Sequence, residues 1–189
     1  MAIESTSSSS FLNRMIRASK LEVLLYEEVE ADITATQQAL QVVVLVAVAS
    51  GIGQAGSGRN VIAQILFGLV TALLGWAVWS YVMYLVGTRL MGGTATYGEL
   101  LRTLGFAESP GVLFILGIIP GVGGLIRAIA GIWVLVTSFI AIRQALDIDN
   151  GKTAVTIVIG IVALIVVYTI IGIIFGVIFG LGVLLGSAL

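Results

Sequence analysis

The chain has 189 residues, 59% of them hydrophobic and 10% charged, with a net charge of −1 and a mean hydropathy of +1.15. An ordinary soluble domain carries about 25% charged residues, and a chain this short has too little interior to hide so much apolar surface, so lipid must solvate most of it. The absence of His and Cys excludes His-based acid–base catalysis, Ser-His-Asp and Cys-His arrangements, disulfides and the usual zinc, haem and iron–sulfur ligand sets, and the near-neutral charge offers no field to gather nucleic acid.

Residues 1–10 read as a polar, Ser-rich tail without the apolar core of a signal peptide. Next, Phe11, Leu12, Met15 and Ile16 fall on one helical face and Asn13, Arg14, Arg17 and Lys20 on the other. That pattern predicts an interfacial helix with its apolar side in the acyl boundary and its basic side towards lipid headgroups. Past Lys20 the apolar positions Leu21, Leu24, Leu25 and Val29 move to another face, and Glu27, Glu28, Glu30 and Asp32 lead into the first span. Four carboxylates without further oxygen donors fall short of a calcium site, so this cluster is expected to be a solvated juxtamembrane face. Residues 1–32 are accordingly assigned to a cytoplasmic tail with its interfacial helix, and 33–189 to a membrane domain.

The first span is placed at about 33–52 and the second at about 61–86, the latter closing with Trp76, Trp79, Tyr81 and Tyr84 as an aromatic belt before Arg89. In the polar stretch 87–109, Thr96 and Glu99 fit a capping box, and Tyr97, Leu100, Leu101 and Leu104 form one apolar stripe that Gly105 would end. A short amphipathic helix lying flat on the cytoplasmic side is expected there. The third apolar segment, 110–119, reaches only about 15 Å at 1.5 Å per residue, half the hydrocarbon thickness. It is expected either to begin earlier, near Phe106, or to be half of a re-entrant hairpin. It ends in Pro120, Gly121, Val122, Gly123 and Gly124, the strongest breaker cluster of the chain. The fourth span runs from about 125 to 145. Residues 153–186 carry no charge, too many for one upright crossing and too few for two, so the last span must tilt, kink or project an apolar end. With five membrane segments, Arg14, Arg17, Lys20, Arg89, Arg102, Arg143 and Lys152 share one side, against Arg59 and Arg127 on the other. The positive-inside rule then puts the N-terminus in the cytoplasm and the C-terminus outside. The expected fold is an all-α integral membrane protein of five membrane helices, the third short or re-entrant, plus the two short helices.

Gly172, Gly176 and Gly180 form a G-x-x-x-G-x-x-x-G stripe, with Gly182 and Gly186 a second pair; such stripes let backbones approach closely in lipid, within one chain or between partners. Tyr97, Glu99 and Arg102 mark the cytoplasmic helix face. There Glu99 is expected to close its capping box, and Arg102 to pair with Glu99 or meet lipid phosphate. At the helix break Pro120, Gly121, Gly123 and Gly124 precede Arg127, expected to snorkel to the interface, with an internal cavity as the alternative. Gln64, Thr71, Thr137, Ser138 and Thr169 are scattered singly, as helix-packing groups usually are.

The run from Gly93 to Pro110, with Tyr97, Leu100-Leu101-Arg102 and Gly105-Phe106-Ala107 before the Pro, resembles the signature of the YIP family (Ypt-interacting proteins) in its prokaryotic branch. Ile119-Pro120 with its Gly turn, Ile132-Trp133, Ile142-Arg143-Gln144-Ala145-Leu146 and Gln38-Ala39-Leu40 continue the similarity, over about 26–175. The resemblance implies five spans with the N-terminus cytoplasmic and the C-terminus external. Eukaryotic relatives associate with prenylated Rab-type GTPases, but this tail is too short to carry a folded partner-binding region, so the resemblance supplies a fold rather than an activity. The expected function is a non-enzymatic membrane scaffold or accessory subunit, oligomeric or in a larger complex of the cell membrane. Its expected partners are the lipid bilayer and other membrane proteins or itself, with no cofactor, metal or nucleic acid. The alternative is a small transporter or channel built around the break at Pro120–Gly124.

Overall fold

The computed structural model describes residues 10–55 and 60–186. Its elements are α1 (Phe11–Ser19), α2 (Val23–Ala31), α3 (Ala35–Gly53), α4 (Val61–Leu90), α5 (Tyr97–Ala107), a 3-10 helix (Ser109–Ile118), α6 (Gly123–Leu146) and α7 (Asn150–Gly186). Among the described residues there is no strand. Five rods are long and apolar enough to cross a membrane: α3, α4, α5 taken with the 3-10 helix, α6 and α7. The chain is an all-α membrane protein.

Local chemistry sets the helix ends. The Asn60 side chain accepts from the Ile62 and Ala63 amides at 3.0 and 3.2 Å and so starts α4. Asp147 adopts a left-handed conformation (φ 53°) and stops α6. Two residues on, the Asp149 carboxylate accepts from the Lys152 amide at 2.9 Å at the start of α7.

The third rod is where the structure departs most from expectation. The short amphipathic helix exists, with its capping box, but Leu100, Arg102, Thr103, Leu104 and Gly105 are buried, so it packs inside the bundle instead of lying flat on a membrane. It is the first half of the third span. Gly105 does not end it; a Cβ there would sit 2.6 Å from the Ala39 Cβ, so its missing side chain serves close helix packing. The 3-10 helix then rises about 2.0 Å per residue against 1.5 Å for α5, and together they reach roughly 37 Å, enough to cross. α3 and α6 flank both halves. The third segment therefore has the length of a full crossing rather than that of a re-entrant half-helix.

The packed core lies toward one end of the bundle, the polar end, which also carries α1, α2 and the α6–α7 junction. Leu100, Leu104 and Ala107 meet Met83 of α4, Ala141, Ile142, Ala145 and Leu146 of α6, and Tyr26 of α2. Alongside, Met15 and Ala18 of α1 and Leu25 and Val29 of α2 close onto Ala35, Ala39, Val42 and Val46 of α3 and onto Phe106. The outer half of α4 and most of α7 contribute little to either cluster. Their exposed Ile, Leu, Val and Phe side chains form the surface that lipid would solvate.

Candidate functional site

At the polar end, α1 turns its basic side inward. Arg14, 3% exposed, donates from Nε to Glu28 Oε1 (2.9 Å), from Nη1 to Gln38 Oε1 (3.0 Å) and from Nη2 to Asp32 Oδ2 (2.8 Å). Arg17 reaches Glu22 Oε1 at 2.9 Å and Glu28 Oε2 at 2.5 Å. Arg14 and Arg17 of the expected basic face and Glu28 and Asp32 of the expected solvated acidic face thus belong to one ion-pair network, while Glu27, Leu12 and Ile16 are left exposed. Thr34 donates its amide and hydroxyl to Asp32, and these bonds, with Arg14 after them, hold that carboxyl below its ordinary range. The physical reason for the correction is that fixed Glu28, Gln38 and Asp32 oxygens take up all three guanidinium nitrogens of Arg14, charge-assisted bonds that a mobile headgroup would have to displace.

Arg102 also differs from expectation. It is 7% exposed and donates from Nε to the Val29 carbonyl at 2.9 Å and from Nη2 to the Glu30 carbonyl. It therefore caps the C-terminal turn of α2, where a cation meets the negative end of the helix dipole. Glu99 does close the capping box, accepting from the Thr96 amide at 2.7 Å while its own amide donates to the Thr96 hydroxyl at 3.3 Å. The Tyr97 hydroxyl donates to the Ala77 carbonyl at 3.1 Å, and its ring meets Tyr81 edge-on at 5.6 Å. Tyr97 and Arg102 thus bind neighbouring helices, Arg102 buried and Tyr97 half-buried. Burial, reinforced by the negative charges of Glu99, Asp147 and Glu27, pushes the Glu30 carboxyl up to about 7.

At the opposite end, Pro120 and Gly121 make the turn into α6, with Gly121 at φ 80°. Gly53, Gly117 and Gly123 bring three backbones together. A Cβ on Gly53 would fall on the Phe114 carbonyl oxygen, and one on Gly123 on the Gly117 carbonyl oxygen. Gly124 has open space beside it, and the Arg127 stem lies against Gly117, lining a recess of about 520 Å³ with Gln54, Pro120, Gly121 and Gly124. The break joins two rods that are each long and apolar enough to cross a membrane.

In α7, a Cβ on Gly172 would meet nothing within 4 Å among the described residues. The surroundings of Gly176, Gly180, Gly182 and Gly186 lie outside the described residues. Close glycine packing among the described residues occurs elsewhere, including Gly160 of α7 against Met83.

Sequence reasoning passed over Glu108. It follows α5 directly and lies about midway along the third rod, beside a cavity of about 650 Å³ between α3 and α4. Val43, Val46, Ala47 and Ser50 line it from α3; Gln64, Phe67, Thr71, Ala72, Trp76 and Trp79 from α4; Leu104 and Phe114 from the third rod. Among the described residues, no hydrogen-bond donor or cation meets the Glu108 carboxylate. Gln64 and Thr71, read singly from sequence, share this one cavity with it. The available signal was that Glu108 is the sole acidic residue between Glu99 and Asp147; it was hidden by ending the flat helix at Gly105 and leaving Glu108 in the polar stretch before Pro110. The Trp76 indole donates to the Leu101 carbonyl at 3.0 Å and fixes one wall.

The family model of the Yip1 domain matches residues 33–174, about three quarters of the chain. No curated protein and no solved structure matches it. The matched range holds α3 to α6, the capping box, the glycine turn and α7 as far as Ile174, and on this match the chain belongs to the Yip1 domain family.

Proposed function

We propose that this protein is a non-enzymatic scaffold or accessory subunit of the cell membrane, N-terminus cytoplasmic and C-terminus external, which associates with itself or a larger membrane assembly through α7. The excess of Lys and Arg at the polar end supports the orientation. The association rests on one observation. α7 is unbroken from Asn150 to Gly186, and the uncharged part of it reaches about 51 Å at 1.5 Å per residue. To hide that in about 30 Å of hydrocarbon the rod would have to tilt by more than about 50°, beyond the range of roughly 0–40° for spanning helices. Ile165, Val166, Val167 and Tyr168 are successive and all exposed, so among the described residues no other helix covers that stretch. A protein surface must take the surplus, and the glycine stripe is suited to it.

Native mass measurement of the detergent-solubilised protein tests this. Wild type is expected as a dimer or larger species, with Gly176→Leu and a chain ended after Ile174 shifting to monomer. A monomer in all three would remove the reading.

A further inference from the structure

We propose that the cavity between α3 and α4 is a binding site for a hydrophobic organic cation, a positive centre carried on an apolar body, held by ion pairing to Glu108. A carboxylate inside an apolar bundle is costly unless a partner compensates it. Arg14, Arg17 and Arg102 are each committed at the polar end, leaving Glu108 to face the cavity. A cation of any source would meet that need, but three features narrow the class. Glu108 lies about midway along the crossing rod, with roughly 16 Å of α5 on one side and about 20 Å of 3-10 helix on the other, too deep for a headgroup anchored at the bilayer surface. Trp76 and Trp79 line the same cavity, and indole rings attract cations once water is excluded. At about 650 Å³ the space is of the size that holds small organic ligands, about 300–1,000 Å³. Apart from Glu108 the wall offers only four polar side chains, Ser50, Gln54, Gln64 and Thr71, spread among apolar and aromatic ones, a lining unlike the close oxygen shell that a strongly hydrated inorganic ion needs.

The test is equilibrium binding of radiolabelled tetraphenylphosphonium to the purified full-length protein in nanodiscs, with tetraphenylmethane as the neutral competitor of the same shape. Wild type is expected to bind the cation saturably and the neutral analogue to compete poorly. Glu108→Gln should weaken binding roughly 30-fold or more. Ala72→Phe, which adds bulk to a half-buried cavity wall, should abolish binding while leaving the charge in place. Absence of saturable binding to wild type, equal competition by the neutral compound, or unchanged affinity in Glu108→Gln overturns the proposal. Should Glu108→Gln fail to elute and unfold like wild type, Ala72→Phe decides alone, and unchanged affinity there overturns it equally. None of these outcomes bears on α7, so the site and the association through that helix fail or stand separately.

Discussion

Gly53→Ala is expected to destabilise the protein by about 3 kcal/mol, the upper part of the range for overpacking a well-filled contact. The added methyl falls on the Phe114 carbonyl oxygen, and backbone cannot rotate aside as a flexible side chain can. α3 and the 3-10 helix must therefore separate, which also disturbs Gly117 against Gly123. Gly68→Ala is the matched control. Its Cβ meets nothing within 4 Å, so a change within about 0.5 kcal/mol is expected, helped by the better helix propensity of alanine. Thermal unfolding in one detergent reads both variants. Equal midpoints for the two would show that the close approach of these backbones is not what holds this end together.

Arg14→Ala should cost about 2–4 kcal/mol. The guanidinium is almost wholly buried and joins three elements: α2 through Glu28, the α2–α3 junction through Asp32 and α3 through Gln38. Its removal takes the guanidinium from two carboxylates and an amide, leaving Glu28 with Arg17 and Asp32 with Thr34, and breaking a buried pair by deleting one partner is far costlier than the pair's net worth. The estimate stays below the extreme because the Glu28 and Asp32 side chains are 32% and 28% exposed and water can recover part of the loss. Arg17→Ala should cost under about 1 kcal/mol, since Arg17 and its partner Glu22 are more exposed at 20% and 40%. Unfolding midpoints, with the protease susceptibility of residues 11–32 as a local readout, would separate the two. Equal losses would mean that α1 is held by Met15 and Ala18 packing alone.

The rods were legible in the sequence because hydropathy is a sum over about twenty residues, and no tertiary contact changes that sum. α3, α4, α6 and α7 sit close to where composition puts them. The third span was misplaced for a definite reason. Its first half carries Glu99, Arg102, Thr103 and Glu108, which lower hydropathy, and in the fold those groups are satisfied or housed by neighbours that sequence alone does not reveal: Thr96, the Val29 and Glu30 carbonyls and the cavity. The 3-10 geometry of the second half is equally silent, and it is what stretches ten residues to about 20 Å.

The partners of the N-terminal charges were illegible for a different reason. A basic helix beside an acidic run reads as two solvated faces until a turn folds one onto the other. That turn is at Leu21, whose φ of 62° brings α2 back against α1. Glycine packing is read from sequence in α7, where the periodic stripe is conspicuous and lies mostly outside the described residues. Close contacts among the described residues include those of Gly53, Gly105, Gly117 and Gly123, which share no spacing because they come from three different rods.

The central claim is that the third segment crosses the membrane completely, so that the chain crosses five times. The chain has no Cys, so single cysteines at Ser10, Gly121 and Asn150 each give an unambiguous label. With a membrane-impermeant maleimide on intact cells, Gly121→Cys should label, while Ser10→Cys and Asn150→Cys should label only after the membrane is opened. Labelling of Gly121→Cys and Asn150→Cys from one and the same face would contradict the account.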